Sequence, residues 1–283
     1  MTNPTMIASF ADQSRPPLYC TIGGGVLDNG SVSDGIFNTS YDKPLNKVVT
    51  DAINKGYRNI LILQGTYNVP GPMIITKSNV KISGVGGVTL KVTGTGQIGL
   101  IDGYSTPITQ LLLEDLNIEM DEPISGMSLI KFGQGSTNIT IRNNRFYIHS
   151  NVTYTVISLA SPMKIIHLYK VCGKEIQNND FLPYTDTVCV YLESGNAANV
   201  FNNRIHNGLF IEFSALSSYI QYGTGAFPVF RPCKLPFHLV NEYQGWIHHN
   251  YVWALGFADD GVLVDACILY ENNGASNDSV EYG

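Results

Sequence analysis

The chain is short of charge. Asp, Glu, Lys and Arg make up 14% of its 283 residues, against roughly a quarter in ordinary soluble domains. The 17 Lys and Arg form no cluster, and the formal net charge is −6. A basic footprint for nucleic acid is therefore missing, and no nucleic-acid partner is expected. No apolar stretch reaches the ~18 residues of a spanning helix, so no membrane span is expected. Met1 to Phe10 has neither the basic start nor the apolar core of a secretory signal. The five cysteines, Cys20, Cys172, Cys189, Cys233 and Cys267, form no C-x-x-C pair and no metal-ligand spacing. Cys189 and Cys267 lie in apolar runs and read as small buried hydrophobes. Long 3.6-period segments are also missing, which excludes helical repeats.

What the chain has is a recurring Asn motif. Its copies are Ile141-Arg142-Asn143-Asn144-Arg145-Phe146, Ile176-Gln177-Asn178-Asn179-Asp180-Phe181, Val200-Phe201-Asn202-Asn203-Arg204-Ile205, Ile247-His248-His249-Asn250-Tyr251-Val252 and Tyr270-Glu271-Asn272-Asn273-Gly274-Ala275. From second Asn to second Asn the steps are 35, 24, 47 and 23 residues. Asn tolerates left-handed backbone and its amide bonds the local backbone, so it suits a tight bend between two strands. Stacked at one strand spacing, such bends make a ladder of amides along one edge. A unit of about 23 residues cannot bury its own apolar face, so neighbouring units must cover it.

The apolar runs are short and β-branched: Ile60-Leu61-Ile62-Leu63, Val80-Lys81-Ile82, Val88-Thr89-Leu90, Ile139-Thr140-Ile141, Val188-Cys189-Val190 and Val262-Leu263-Val264. The spacing predicts one helix, over Leu45 to Gly56. Leu45, Val48, Val49, Ala52 and Ile53 share a face and Gly56 makes the stop. Residues 1–32, rich in Pro and Gly, read as an extended attachment segment. Residues 33–283 read as one domain. Between about 214 and 245 the rhythm breaks into aromatics and prolines, including Tyr222 and Phe230. Three prolines at four-residue spacing fit poorly into central strands, so the 47-residue step is read as one coil with an excursion.

The segments Gly56-Tyr57-Arg58-Asn59 to Gly65-Thr66-Tyr67 and Ser78-Asn79-Val80-Lys81-Ile82-Ser83-Gly84-Val85-Gly86 resemble the first coils of pectin-lyase-like proteins. The resemblance covers residues 33 to 92. It implies an all-β fold: a single-stranded right-handed parallel β-helix with an N-terminal capping helix. It leaves function open, because that superfamily includes polysaccharide lyases, glycosidases, bacteriophage tailspikes and non-catalytic fibres.

Three strand starts look alike: Asp186-Thr187-Val188, Asn207-Gly208-Leu209 and Asp260-Gly261-Val262. Aligned, they put Asp186, Asn207 and Asp260 on one bend, and Tyr191, Glu212 and Asp265 at the strand ends. Two rungs separate Asp186 from Asp260 by roughly 10 Å, and one rung separates Glu212 from Asp265 by roughly 5 Å. Those separations bracket the carboxylate pairs of inverting and retaining glycosidases. The candidate catalytic residues are therefore Asp186, Asp259, Asp260 and Glu212. Phe257-Ala258-Asp259-Asp260-Gly261-Val262 also resembles the "G-D-D-C-I" strand of polygalacturonases. The "G-H-G" and "R-I-K" segments of that family have no counterpart here. Asp opens tight turns as readily as it catalyses, so each Asp also reads as a turn residue. No cofactor is expected; calcium would suit acidic turns but is not indicated.

His248 and His249 beside Trp246, Tyr251 and Trp253 form the densest aromatic and imidazole patch. Trp246, His249, Tyr251 and Trp253, with Tyr222 and Phe230, are candidates for stacking on sugar rings, though core packing is the other fate of each. Two functions are expected in competition. One is a virion or cell-surface spike, extracellular or on the virion, contacting a surface polysaccharide or glycan. It would be a homotrimer attached through residues 1–32 to other virion proteins. The other is a polysaccharide hydrolase or lyase of the same fold.

Overall fold

The computed structural model describes residues 19–26, 32–34, 39–40, 44–148, 161–183, 187–207, 235–240, 244–254, 268–271 and 280–282. They are mostly strand, with one helix, and the fold is all-β. Parallel pairing dominates; the antiparallel exceptions are the small strands Val32–Asp34 and Thr39–Ser40.

The strands fall into three parallel ladders, visited in turn. The first runs through Thr109–Glu114, Thr137–Arg142, Cys172–Gln177, Asn196–Phe201, Gly245–His248 and Val280–Tyr282. The second runs through Asn117–Met120, Arg145–Ile148, Asp180–Leu182, Arg204–Asn207 and Tyr251–Ala254. The third runs through Met73–Ile74, Ile98–Gly103, Ser128–Phe132, Met163–Tyr169, Thr187–Glu193, Leu235–Val240 and Ile268–Glu271. The long strands Asn59–Val69 and Val80–Val92 pair along their length and start both of the first two ladders.

Alternation sends every second column of each ladder inward. In the first, Ile82, Leu113, Ile141, Ile176, Val200 and Ile247 stack rung upon rung. In the second, Leu90, Ile118, Phe146, Phe181 and Ile205 do the same, with the Phe146 and Phe181 rings parallel at 5.0 Å. In the third, Met73, Ile101, Ile130, Ile166, Val190 and Phe237 complete the core. Each such side chain contributes about 1.5–3 kcal/mol on burial, before the entropy of ordering the chain.

Helix α1, Leu45–Asn54, buries the five apolar residues expected of it. It ends as the sequence predicts. Gly56 turns left-handed at φ 105°, Gly56 N–H donates to Ile53 O at 3.0 Å, and Tyr57 N–H donates to Ala52 O at 3.1 Å. This is the paired-bond stop that glycine permits. The helix sits by the first rungs, where Thr50 Oγ1 accepts the Ile74 N–H at 2.9 Å.

Part of the lead-in belongs to the fold. Tyr19–Val26 is a strand on Asn59–Val69, and Cys20 and Ile22 are buried. Gly23, at φ 100°, leaves room for the Tyr67 ring, whose hydroxyl donates to Leu63 O at 2.7 Å.

Candidate functional site

The Asn motif occupies the corner between the first and second ladders, and its two positions have different jobs. The first residue takes the left-handed backbone: Asp115, Asn143, Asn178, Asn202 and His249 all have φ between 51° and 59°. The second turns its amide into the corner. Asn144, Asn179 and Asn203 are buried, and their Nδ2 groups donate to Oδ1 of the next Asn along: Asn144 to Asn179 at 3.2 Å, Asn179 to Asn203 at 3.0 Å, Asn203 to Asn250 at 2.9 Å. The same Oδ1 atoms accept backbone N–H groups: Asn144 N at 3.0 Å, Asn179 N at 3.0 Å and Asn203 N at 3.0 Å. Leu116 N–H, donating to Asn144 Oδ1 at 3.2 Å, ends the ladder where Asn gives way to Leu.

The fifth copy of the motif is out of register. Tyr270 and Glu271 pair with Leu239 and Val240 in the third ladder, a different corner. Asn272 and Asn273 lie outside the described residues. Local patterning cannot separate corners that use the same turn chemistry.

Outside the corner, the first ladder carries two columns on its outer face. One is Lys81, Leu112, Thr140, Glu175, Asn199 and Trp246; the other is Ser83, Glu114, Arg142, Gln177, Phe201 and His248. Their chemistry changes along the axis. At the helix end a buried carboxylate is held by charge. Glu114 accepts from Ser83 Oγ at 3.0 Å, Arg142 Nε at 2.8 Å and Lys81 Nζ at 2.6 Å. Burial pushes its pKa up, but those hydrogen bonds prevail and hold it below the usual value. Midway, Gln177 Nε2 donates to Glu175 Oε1. At the far end the columns turn aromatic.

There Phe201 and His248 stack 5.2 Å apart with their planes 4° from parallel, one rung spacing. Trp246 lies 4.2 Å from His248 and is 52% exposed. Around the corner Tyr251 is 60% exposed, on the rung beside Arg204. The imidazoles have assigned roles. His248 Nε2 donates to Asn199 Oδ1 at 3.1 Å, so His248 Nδ1 is the acceptor for His249 Nδ1–H at 2.6 Å. Burial and the neighbouring His249 lower the His248 pKa.

The sequence-predicted sugar-stacking residues therefore divide. Trp246 and His249 both meet His248, and Tyr251 opens the next strand past the corner. Trp253 is in the same strand, on the backbone rung of His206, with its side chain outside the described residues. Tyr222 and Phe230 lie outside the described residues altogether. Phe201 and Asn199 join the patch from the rung before His248 and Trp246. Their signal in the sequence was register: Phe201 precedes one Asn pair as His248 precedes the next.

The candidate acids Asp186, Asp259, Asp260 and Glu212 all lie outside the described residues. The alignment that grouped Asp186 with Asn207 is corrected. Thr187–Glu193 pairs with Leu235–Val240, with Val188 opposite Leu235 and Tyr191 opposite His238. Asn207 instead closes a second-ladder strand opposite Ala254. A polar residue before an apolar run marks strand starts on every face, so similarity of starts does not imply a shared ladder. Phe237, expected in the excursion, is a core residue.

The chain matches no family model, no curated protein and no solved structure. Among the described residues no group of three or more His, Cys, Asp or Glu could hold a metal ion, and no helix is long and apolar enough to cross a membrane.

Proposed function

We propose that this chain is a single-stranded right-handed parallel β-helix of the pectin-lyase-like kind, acting as a glycan-contacting spike on a virion or cell surface. The strands' cyclic visits to three parallel ladders support the architecture. The observation that carries the function is the aromatic set on either side of one corner held by hydrogen bonds: exposed Trp246 against half-buried His248 on one strand, and exposed Tyr251 on the next. A sugar ring presents an apolar face of C–H groups and a rim of hydroxyls. Flat rings on a rigid scaffold meet the first, and Asn199, Glu175 and the imidazoles can meet the second. Homotrimer assembly and attachment through residues 1–32 complete the reading.

Glycan-array binding of the full chain, followed by titration calorimetry on the best ligands, tests it. Wild type should bind surface polysaccharide fragments, and Trp246→Ala should weaken binding at least tenfold without lowering the melting temperature. Reducing-sugar release that disappears in Asp260→Asn would replace the spike with an enzyme.

A further inference from the structure

The outer face of the third ladder is built differently from the aromatic corner. Three lysines each lie over a tyrosine ring: Lys131 over Tyr104 at 4.1 Å, Lys164 over Tyr191 at 4.7 Å and Lys170 over Tyr169 at 5.1 Å. Tyr104 and Tyr169 are themselves 6.2 Å apart. These are the cation–ring pairs among the described residues, and they share one face of a chain whose net charge is −6.

Among the described residues this positive charge is not closely ion-paired, although Asp102 and Glu193 lie nearby. Neither Lys131 nor Lys164 has a carboxylate within 4 Å among the described residues. The two acids on this face are already engaged. Asp102, beside Lys131 in the ladder, accepts the Tyr104 N–H at 2.9 Å. Glu193 accepts from His167 Nε2 at 3.4 Å. His167 is buried between rungs, its ring edge-on to Tyr191 at 4.9 Å, with Ser128 Oγ donating to its Nδ1 at 3.2 Å. Burial first, then Lys164 and Lys131, lowers the His167 pKa to about 3, so the imidazole is neutral and the lysines supply the field. Lys164 is depressed too, by burial and by Lys131, with Glu193 opposing.

We propose that this face binds an acidic sugar unit, with its carboxylate or sulfate between Lys131 and Lys164 and its ring against Tyr104 and Tyr191. The proposal rests on the glycan-binding reading and gives it a ligand class. A fixed anion relieves the repulsion between the two ammonium groups, and the half-buried setting strengthens that pairing over one in open water. The tyrosine faces add ring stacking that a bare inorganic anion cannot use. The competing role of these lysines is structural, their stems merely covering the rings.

Calorimetry on the full chain at 0.15 M salt tests it with four probes: an oligogalacturonate, a sulfated oligosaccharide, a neutral dextran oligomer and inorganic sulfate. The expected result is at least tenfold tighter binding of one acidic oligosaccharide than of dextran, weakened by added salt. The winning acidic probe distinguishes carboxylate from sulfate. Lys131→Met with Lys164→Met should abolish the acidic preference and leave neutral-glycan binding intact. Tyr191→Leu is the second variant and should lower acidic binding several-fold. Equal binding of acidic and neutral probes by the wild type, or an unchanged preference in the double variant, overturns the proposal. Inorganic sulfate binding as tightly as the oligosaccharides overturns its sugar component. Loss of neutral but not acidic binding in Trp246→Ala supports two separate sites. Acidic binding unchanged in that variant with no neutral binding in the wild type removes the aromatic-corner reading alone. No binding of any glycan removes both.

Discussion

Asn203 and Asn250 are 47 residues apart in the chain and hydrogen-bonded in space, Nδ2 of the first donating to Oδ1 of the second at 2.9 Å. The longest step of the repeat is therefore a single rung. Asn144 and Asn179, 35 residues apart, are neighbours in the same way. A continuous amide ladder needs its residues one strand spacing apart and is indifferent to the length of chain between them.

The two positions of the motif should respond differently to substitution. Asn179→Ala removes the acceptor of Asn144 N–H and the donors to Ile141 O and Asn203 Oδ1. Leaving those buried groups unpaired should lower unfolding free energy by about 2–4 kcal/mol. Asn178→Gly should change it by less than about 0.5 kcal/mol, because φ 53° suits glycine. Urea denaturation measures both; equal effects would contradict the division of labour.

Glu114 gathers Lys81, Arg142 and Ser83, and its pKa is lowered. A carboxylate depressed in the folded state adds stability above its unfolded pKa and loses it as pH falls through the folded value. Glu114→Gln should therefore cost about 1–3 kcal/mol at pH 7. The difference from wild type should shrink below pH 4.5, the ordinary value. A pH-independent difference would show that shape, not charge, matters there.

His167 titrates near 3 in the folded protein and near 6.5 unfolded. Between those values the unfolded chain binds the extra proton, so stability falls on acidification across that window. The slope approaches about 1.4 kcal/mol per pH unit for one proton. His167→Gln should flatten this dependence, measured as urea midpoints from pH 3 to 7. An unchanged slope would assign the acid sensitivity elsewhere.

At the aromatic corner, His248 accepts from His249 through Nδ1. Protonating His248 puts a donor on each side of that contact. Because the His248 pKa is lowered, the corner keeps its geometry at neutral pH and loses it under acid. Glycan affinity should fall as pH drops below the ordinary imidazole range. His249→Phe should reduce that pH dependence in calorimetric titrations, and an identical profile would rule out the pair as its source.

Much of the local design was readable in the residues. Helix α1 with its Gly56 stop, the β class and four corners of the Asn motif all follow from alternation, apolar spacing and turn chemistry. The candidate site was readable in part. Trp246 and Tyr251 alternate with Ile247 and were recognisable as a patch, but Phe201 and Asn199 join it from the preceding rung. The acid alignment failed where Asn207 resembled a third-ladder start and proved to be a second-ladder end.

The sequence by itself determined that the chain makes short strands, where they bend, and which residue tolerates each bend, because these depend on neighbours within a few positions. Only the tertiary structure decided which ladder each strand joins, that Asn203 meets Asn250, and that Lys131, Lys164 and Tyr191 share a face. Those residues lie 27 to 60 positions apart in the chain. They are set by the register of parallel rungs, which three faces of similar alternation leave undetermined until they pack on one core.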